Sequence, residues 1–378
     1  MPKWAARLAS GSGSIQRTEI DGMRRRMFLA ALAASGGMPL LSWADAGSPA
    51  FLAAAKEPSG GYALFGIGRS GAVLFRQPLP GRGHAATAHP TRPEAVAFAR
   101  RPGTFALVLD CVTGASLARL TPPEGRQFNG HGAYSADGAV LYTSEVVAEG
   151  SEGRIGLWDA GRSYARIGEF ASNGIGPHEI RRLPMSDMLV VANGGIQTDP
   201  LDRTPLNLDS MRPNLSYLSP EGVVEEVVEL PDLAQNSIRH LALRSDGLVG
   251  FAMQWQGDLA EPVPLLGLHR RGEDPTLAWP ADAEMFAMKG YAGSIAFAPG
   301  GQEVAITSPR GGRVQAFSPE GAPLWSVARG DVCGIGPAAG GDGFVITDGQ
   351  GLVAGLAGGR IAPLAQAGLA WDNHLIAL

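Results

Sequence analysis

The sequence predicts an all-β fold, a single seven-bladed β-propeller, and three observations carry that expectation. First, a short phrase recurs along the 378 residues: a polar residue, a few small or apolar residues and, in most copies, a turn. Its polar positions are His84, His131, His178, His240, Ser294, Cys333 and His374, at intervals of 47, 47, 62, 54, 39 and 41 residues. Repeats of roughly 40–50 residues with strand content are the signature of propeller blades. Second, the intervals hold short apolar runs separated by turn residues. Third, the two chain ends are incomplete in complementary ways.

Composition supports strands over helices. Gly (53) and Pro (28) make up more than a fifth of the chain, so turns are frequent, while 45% hydrophobic residues supply a core. The second unit shows the pattern best. Strands are expected at Gly130–Tyr134 and Ala139–Ser144 around the Asp137-Gly138 turn, then at Arg154–Asp159 and Tyr164–Phe170. Blade cores follow near residues 84–120, 131–170, 178–230, 240–279, 294–327 and 333–365. The last phrase, NHLIAL, ends after one strand, whereas the segment 51–79 offers three strands and no leading phrase. Pairing 374–378 with 51–79 completes a seventh blade and removes two open sheet edges.

Residues 1–46 read as a targeting segment, leaving 47–378 as the propeller. Arg24-Arg25-Arg26-Met27-Phe28-Leu29 resembles a twin-arginine export signal, close behind Met23, an alternative start. A mildly apolar stretch follows, and Ala44-Asp45-Ala46 fits a cleavage site. That stretch is interrupted by Gly36, Gly37 and Pro39, against the roughly 20 apolar residues a membrane span needs. The expectation is therefore a periplasmic protein without a membrane span. Its net charge of −5, more negative still without the leader, offers no basic stripe for nucleic acid. Cys111 and Cys333 fall in non-adjacent blades, too far apart for a disulfide.

The phrase residues begin the innermost strands and so should ring one mouth of the central channel. Imidazole and thiolate are ligands for copper, iron and zinc, which makes His84, His131, His178, His240, His374 and Cys333 a candidate metal set. The competing view is structural: each His bonds a neighbouring blade, as in propellers of the WD type. Near the ends of the second strands stand Arg100, Glu145, Asn193, Gln254, Ser308 and Asp348, expected as a polar rim with Trp255 as a wall. A long insertion, Gly194–Pro213, should overhang the same face. No G-x-S-x-G, H-E-x-x-H or C-x-x-C motif occurs.

The histidine ring is similar to that of nitrous oxide reductase, a seven-bladed propeller whose histidines hold a copper cluster. Here Ser294 and Cys333 break the set, and no cupredoxin-like domain follows. The segments RGHAATAHPTRPEAVAFARRPG (Arg82–Gly103), NGHGAYSADGAVLYTSE and GIGPHEIR resemble a family of uncharacterised, twin-arginine-exported bacterial propellers. The matching positions are His84, His89, Arg100, Arg101, His131 and His178. Genes of that family tend to lie beside imelysin-type iron-regulated proteins. The resemblance thus implies a binding or accessory role in iron or metal handling, with partner proteins of a metal-uptake system. Two alternatives stay open: a metal-dependent enzyme, lactonase-like or redox, at the channel mouth, and a protein-docking scaffold that binds no ligand.

Overall fold

The computed structural model describes residues 41–100 and 105–378, and residues 42–378 form a compact unit. The expected leader falls mostly on residues 1–40, and Arg101 on 101–104, outside the described residues. No helix among the described residues is long and apolar enough to cross a membrane.

Seven antiparallel sheets follow one another along the chain. Blade 1 runs from Gly83–Ala88 to Ser116–Leu120, blade 2 from Arg126–Tyr134 to Ala165–Ile175, and blade 3 from Pro177–Arg182 to Val224–Glu229. Blades 4, 5 and 6 open on Asn236–Leu243, Ser294–Phe297 and Val332–Pro337. Blade 7 combines both chain ends. Phe51–Lys56 pairs with Tyr62–Ile67 on one side and with the C-terminal segment on the other, through Phe51↔Ala377, Leu52↔Ile376, Ala55↔Trp371 and Lys56↔Ala370. The ring is therefore a seven-bladed propeller sealed by its own last residues.

Burial explains why these segments are strands. Second strands such as Leu189–Asn193 and Val304–Ser308 are buried throughout, because both sheet faces press on neighbouring blades. They accordingly read as unbroken apolar runs rather than alternations. Outermost strands alternate toward solvent, and Pro78, Pro323 and Pro363 lie on them. Proline is tolerated at such edges, where no ladder partner waits for the missing N–H, and it also discourages pairing with other chains. The aromatic core sits between blades, as where Tyr217 of blade 3 meets Phe251 of blade 4.

The packed unit begins ahead of the expected cleavage point. The Trp43 indole N–H donates to the His89 carbonyl at 3.1 Å, and Ala46 is buried between blades 7 and 1.

Candidate metal centre

The innermost strands would keep their side chains in the blade interfaces if they were regular. Most are not. In blade 1 the register slips between Gly83 and Ala86, so that His84 and Ala85 together oppose one residue of the next strand. The same two-against-one slip takes in His178 in blade 3 and Cys333 in blade 6; in blade 2 three residues, Asn129, Gly130 and His131, oppose one, and in blade 4 Arg239 is the extra residue beside His240. In blade 7 the C-terminal pairing breaks between Trp371 and Ile376, and His374 lies in the break. Only blade 5 is regular here, with Ser294 squarely opposite Thr307. A β-bulge bends the strand and re-aims a side chain. Here it directs each histidine toward the axis.

His374, His84, His131, His178 and His240 come from blades 7, 1, 2, 3 and 4, an unbroken arc of the ring. Their imidazoles are all buried, and eight pairs have ring centroids 4.6–6.1 Å apart. Two trios, His84–His131–His178 and His131–His240–His374, each have ligating atoms within 4.8 Å of one another, and His131 belongs to both. Three nitrogens about 2.1 Å from one ion stand about 3.4–3.6 Å apart, so atoms 4.8 Å apart would have to close by about 1 Å to share it. Gly130, at φ +94°, makes the closeness attainable, since a Cβ there would come within 2.7 Å of the His84 ring.

The hydrogen bonding of the seven histidines separates a structural role from a ligand role. His89 Nδ1 accepts from the Thr91 and Arg92 amides, and His269 is tied to the Tyr217 hydroxyl at 2.6 Å and to the Glu273 carbonyl at 2.9 Å. Among the described residues none of the five clustered rings makes a hydrogen bond. One nitrogen of each is both buried and unpartnered: Nδ1 of His84, His178 and His240, and Nε2 of His131 and His374. Such orphans are rare in native interiors because each costs about 1–3 kcal/mol. Burial holds all five pKa values below the ordinary histidine value, reinforced for His131, His178 and His374 by neighbouring imidazoles. The rings are therefore neutral near pH 7, the protonation state a metal requires.

Two carboxylates back the cluster from adjacent blades. Asp372 Oδ1 stands 3.6 Å from His84 Nδ1, and Glu179 Oε2 stands 3.6 Å from His240 Nδ1. Both distances are a little long for hydrogen bonds. They leave Nε2 of His84 and His240 as the nitrogen facing away from the acid, the usual carboxylate–histidine–metal arrangement. Burial pushes both acids up, but cationic and hydrogen-bonding neighbours outweigh it and hold them well below the carboxylate range. For Glu179 the counter-charge is Arg181, and the Leu241 amide also donates to it. For Asp372 the neighbours are His84, Arg82 and the Asn373 amide. Glu179 is, with Glu145 and Asp348, one of the three acids the sequence offers as a candidate ligand, whereas Asp372 is not among the residues expected from it. The local signal that could have found Asp372 is slight: it stands two residues before His374.

Not every expected residue joins the centre. Cys333 is in neither trio; its buried thiol points at the Asp331 carbonyl, 3.1 Å away. Of the expected rim, Arg100 and Gln254 line the cavity over the histidines. Glu145 lies inside blade 2, held by both arms of Arg166 at 2.8 and 3.0 Å and by the Thr143 hydroxyl. Asn193 bonds Ser172 and Asn214, Ser308 bonds the Met288 carbonyl, and Asp348 pairs with Arg329 and caps the following turn. Trp255 packs on the core between blades 4 and 5, its indole donating to the Asp258 carbonyl. Second-strand side chains alternate between two blade interfaces, so polarity at the strand end marks a buried network there rather than a channel rim.

The cavity over the histidines has a volume of about 270 Å³ and is floored by His84, His178 and His240. The insertion overhangs it, contributing Ile196, Thr198, Arg203 and Pro205. Hydrogen bonds from Thr198 to Ser151 and from Asn207 back to Gly195 hold the insertion in place. Four arginines line the cavity, Arg100, Arg203, Arg239 and Arg310, and no Asp or Glu does. Burial lowers the pKa of Arg239 to about 10, which leaves it charged at neutral pH.

The chain is similar in fold to several solved structures. Kuenenia stuttgartiensis hydrazine synthase matches with a TM-score of 0.51 and 15% identity over 68% of this chain and 70% of that one. U3-55K matches with a TM-score of 0.55 and 12% identity over 76% and 82%, and the RRP9 WD40 repeats with 0.56 and 12% over 76% and 81%. At these identities the likeness concerns the fold alone. No curated protein matches the sequence. A family model covers residues 77–378, from the end of blade 7's outer strand to the C-terminus, and the chain belongs to that family, described as a protein of unknown function (DUF1513).

Proposed function

We propose that this chain is an exported periplasmic propeller that holds a transition-metal ion on His84, His131, His178, His240 and His374, and that it serves as a binding or accessory module in metal handling. The observation that carries the reading is the contrast among the histidines: the two off the repeat's polar position, His89 and His269, are hydrogen-bonded, whereas the five at that position are buried, make no hydrogen bond among the described residues and converge in two trios of ligating atoms. Neutral imidazoles backed by ionised carboxylates are a donor set suited to copper, zinc or iron. Export by the twin-arginine route, which the Arg24–Leu29 motif supports, suits a protein that loads its metal before crossing. Proteins of a metal-uptake system are the partners this reading calls for.

The open cavity over the histidines favours a second reading, a redox or Lewis-acid centre acting on a bound small molecule. A metal there would supply that chemistry, while the chain's own residues exclude bulk water and orient the ligand. A lactonase-like site has less support, because neither histidine trio includes a carboxylate.

Elemental analysis of protein isolated from metal-replete periplasm tests the proposal. About one or more atoms of a single metal per chain are expected, with a large loss in H131Q, since His131 is common to both trios. Metal well below one atom per chain removes the proposal.

A further inference from the structure

Elsewhere in the ring, arginines pair with buried acids. Arg181 pairs with Glu179, Arg166 with Glu145, Arg329 with Asp348, and Arg82 with Asp372. Arg239 does not. Only 8% of its surface is exposed, it makes no hydrogen bond or ion pair among the described residues, and its Nε is buried and unpartnered. It occupies the bulge position beside His240, so the backbone irregularity that aims the histidine also places this guanidinium on the cavity wall. An unpaired buried charge is costly, and a protein that keeps one in a cleft commonly keeps it for a ligand.

A second cation is pre-positioned on the same cavity. The Arg310 guanidinium lies 4.4 Å from the centroid of the Tyr291 ring, and both residues line the space. Stacking limits the freedom that a bound ligand must otherwise remove. With neutral imidazoles on the floor and no Asp or Glu on the walls, the lining itself is cationic, although Asp372 pairs with Arg100 from behind it and the chain as a whole is acidic.

We propose that this cavity is a receptor for a small oxyanion, clamped chiefly by Arg239 with Arg310, directly over the histidine cluster. The planar guanidinium fork matches carboxylate and phosphate oxygens two at a time. The volume of about 270 Å³ lies at the small end of ligand sites, which suits a compact anion rather than a nucleotide or a peptide. The inference needs no metal, although an anion held there would also face any ion on the histidines.

Isothermal titration calorimetry on chelator-stripped protein, with inorganic phosphate, citrate and uncharged glycerol as probes, tests it. At least one anion should bind, glycerol should not, and affinity should fall with added salt; a citrate-only or phosphate-only response identifies the oxyanion type. R239Q should weaken binding at least tenfold and R310Q severalfold, while R270A, whose native arginine pairs with Asp246 outside the cavity, should match the parent. Thermal melts establish that each variant is folded, and R239K provides a milder change should R239Q fail to fold. No binding of either anion, or parent-like binding by R310Q and by whichever Arg239 variant folds, overturns the inference. Anion binding without metal uptake leaves it standing and removes the metal reading; metal uptake without anion binding does the reverse.

Discussion

Asp372 reaches across a blade boundary to stand 3.6 Å from Nδ1 of His84. The acid belongs to blade 7 and the imidazole to blade 1. Glu179 of blade 3 repeats the relation with His240 of blade 4. Each acid therefore orients a ring it does not share a sheet with, and the geometry of the cluster depends on how the blades are seated against one another.

Outer-shell acids of this kind typically contribute 10–100-fold in metal affinity. D372N and E179Q should each weaken metal binding by about that factor while leaving the fold intact, as read by competition with a chromophoric chelator alongside a thermal melt. Unchanged affinity in both would show that the acids serve only their arginines, Arg82 and Arg100 for Asp372 and Arg181 for Glu179.

Glu145 was an attractive rim residue by position, yet it is fully enclosed and gripped by Arg166 and Thr143. Truncating Glu145 would empty a fully buried site, leave the Thr143 hydroxyl without its carboxylate partner and leave Arg166 with Glu169 alone, a loss of about 1–3 kcal/mol for each buried polar group left unmatched. E145A should therefore lower the denaturation midpoint strongly, yet metal bound per folded molecule should stay at the parent level. A selective loss of metal without loss of stability would return Glu145 to the site.

Closure of the ring rests on a short C-terminal segment in which Trp371 is 3% exposed and meets Phe65 edge-on at 5.5 Å. W371A should cost about 3–5 kcal/mol, the usual range for emptying an aromatic core site. Equilibrium denaturation measures it; a change below about 1 kcal/mol, within the range of ordinary surface substitutions, would mean that the seam contributes little.

Both cysteines are buried and free. Burial pushes the Cys111 thiol up to about 12, and Cys333 is raised further by burial and by the nearby acid Asp331. Since the thiolate is the reactive form, the native protein should show no fast-reacting thiol toward a disulfide reagent at pH 8, and two after unfolding. Rapid modification of Cys333 in the native state would place its sulfur within reach of the channel.

What the sequence settled by itself was the architecture. Repetition along a chain becomes rotation about an axis, so one phrase recurring seven times foretold seven blades, and the ragged ends at Phe51 and Leu378 foretold the seam. The same logic brought five histidines to one level of the channel, because equal phase in the repeat means equal height on the inner strand. Contacts between blades followed no such rule. Whether Asn193 or Asp348 faced the channel or a neighbouring sheet depended on bulges and inter-blade packing, which have no period in the sequence. The pairing of Asp372 with His84, and the solitary charge of Arg239, are products of distance in space between residues remote or unmarked in the chain, and only the folded ring could decide them.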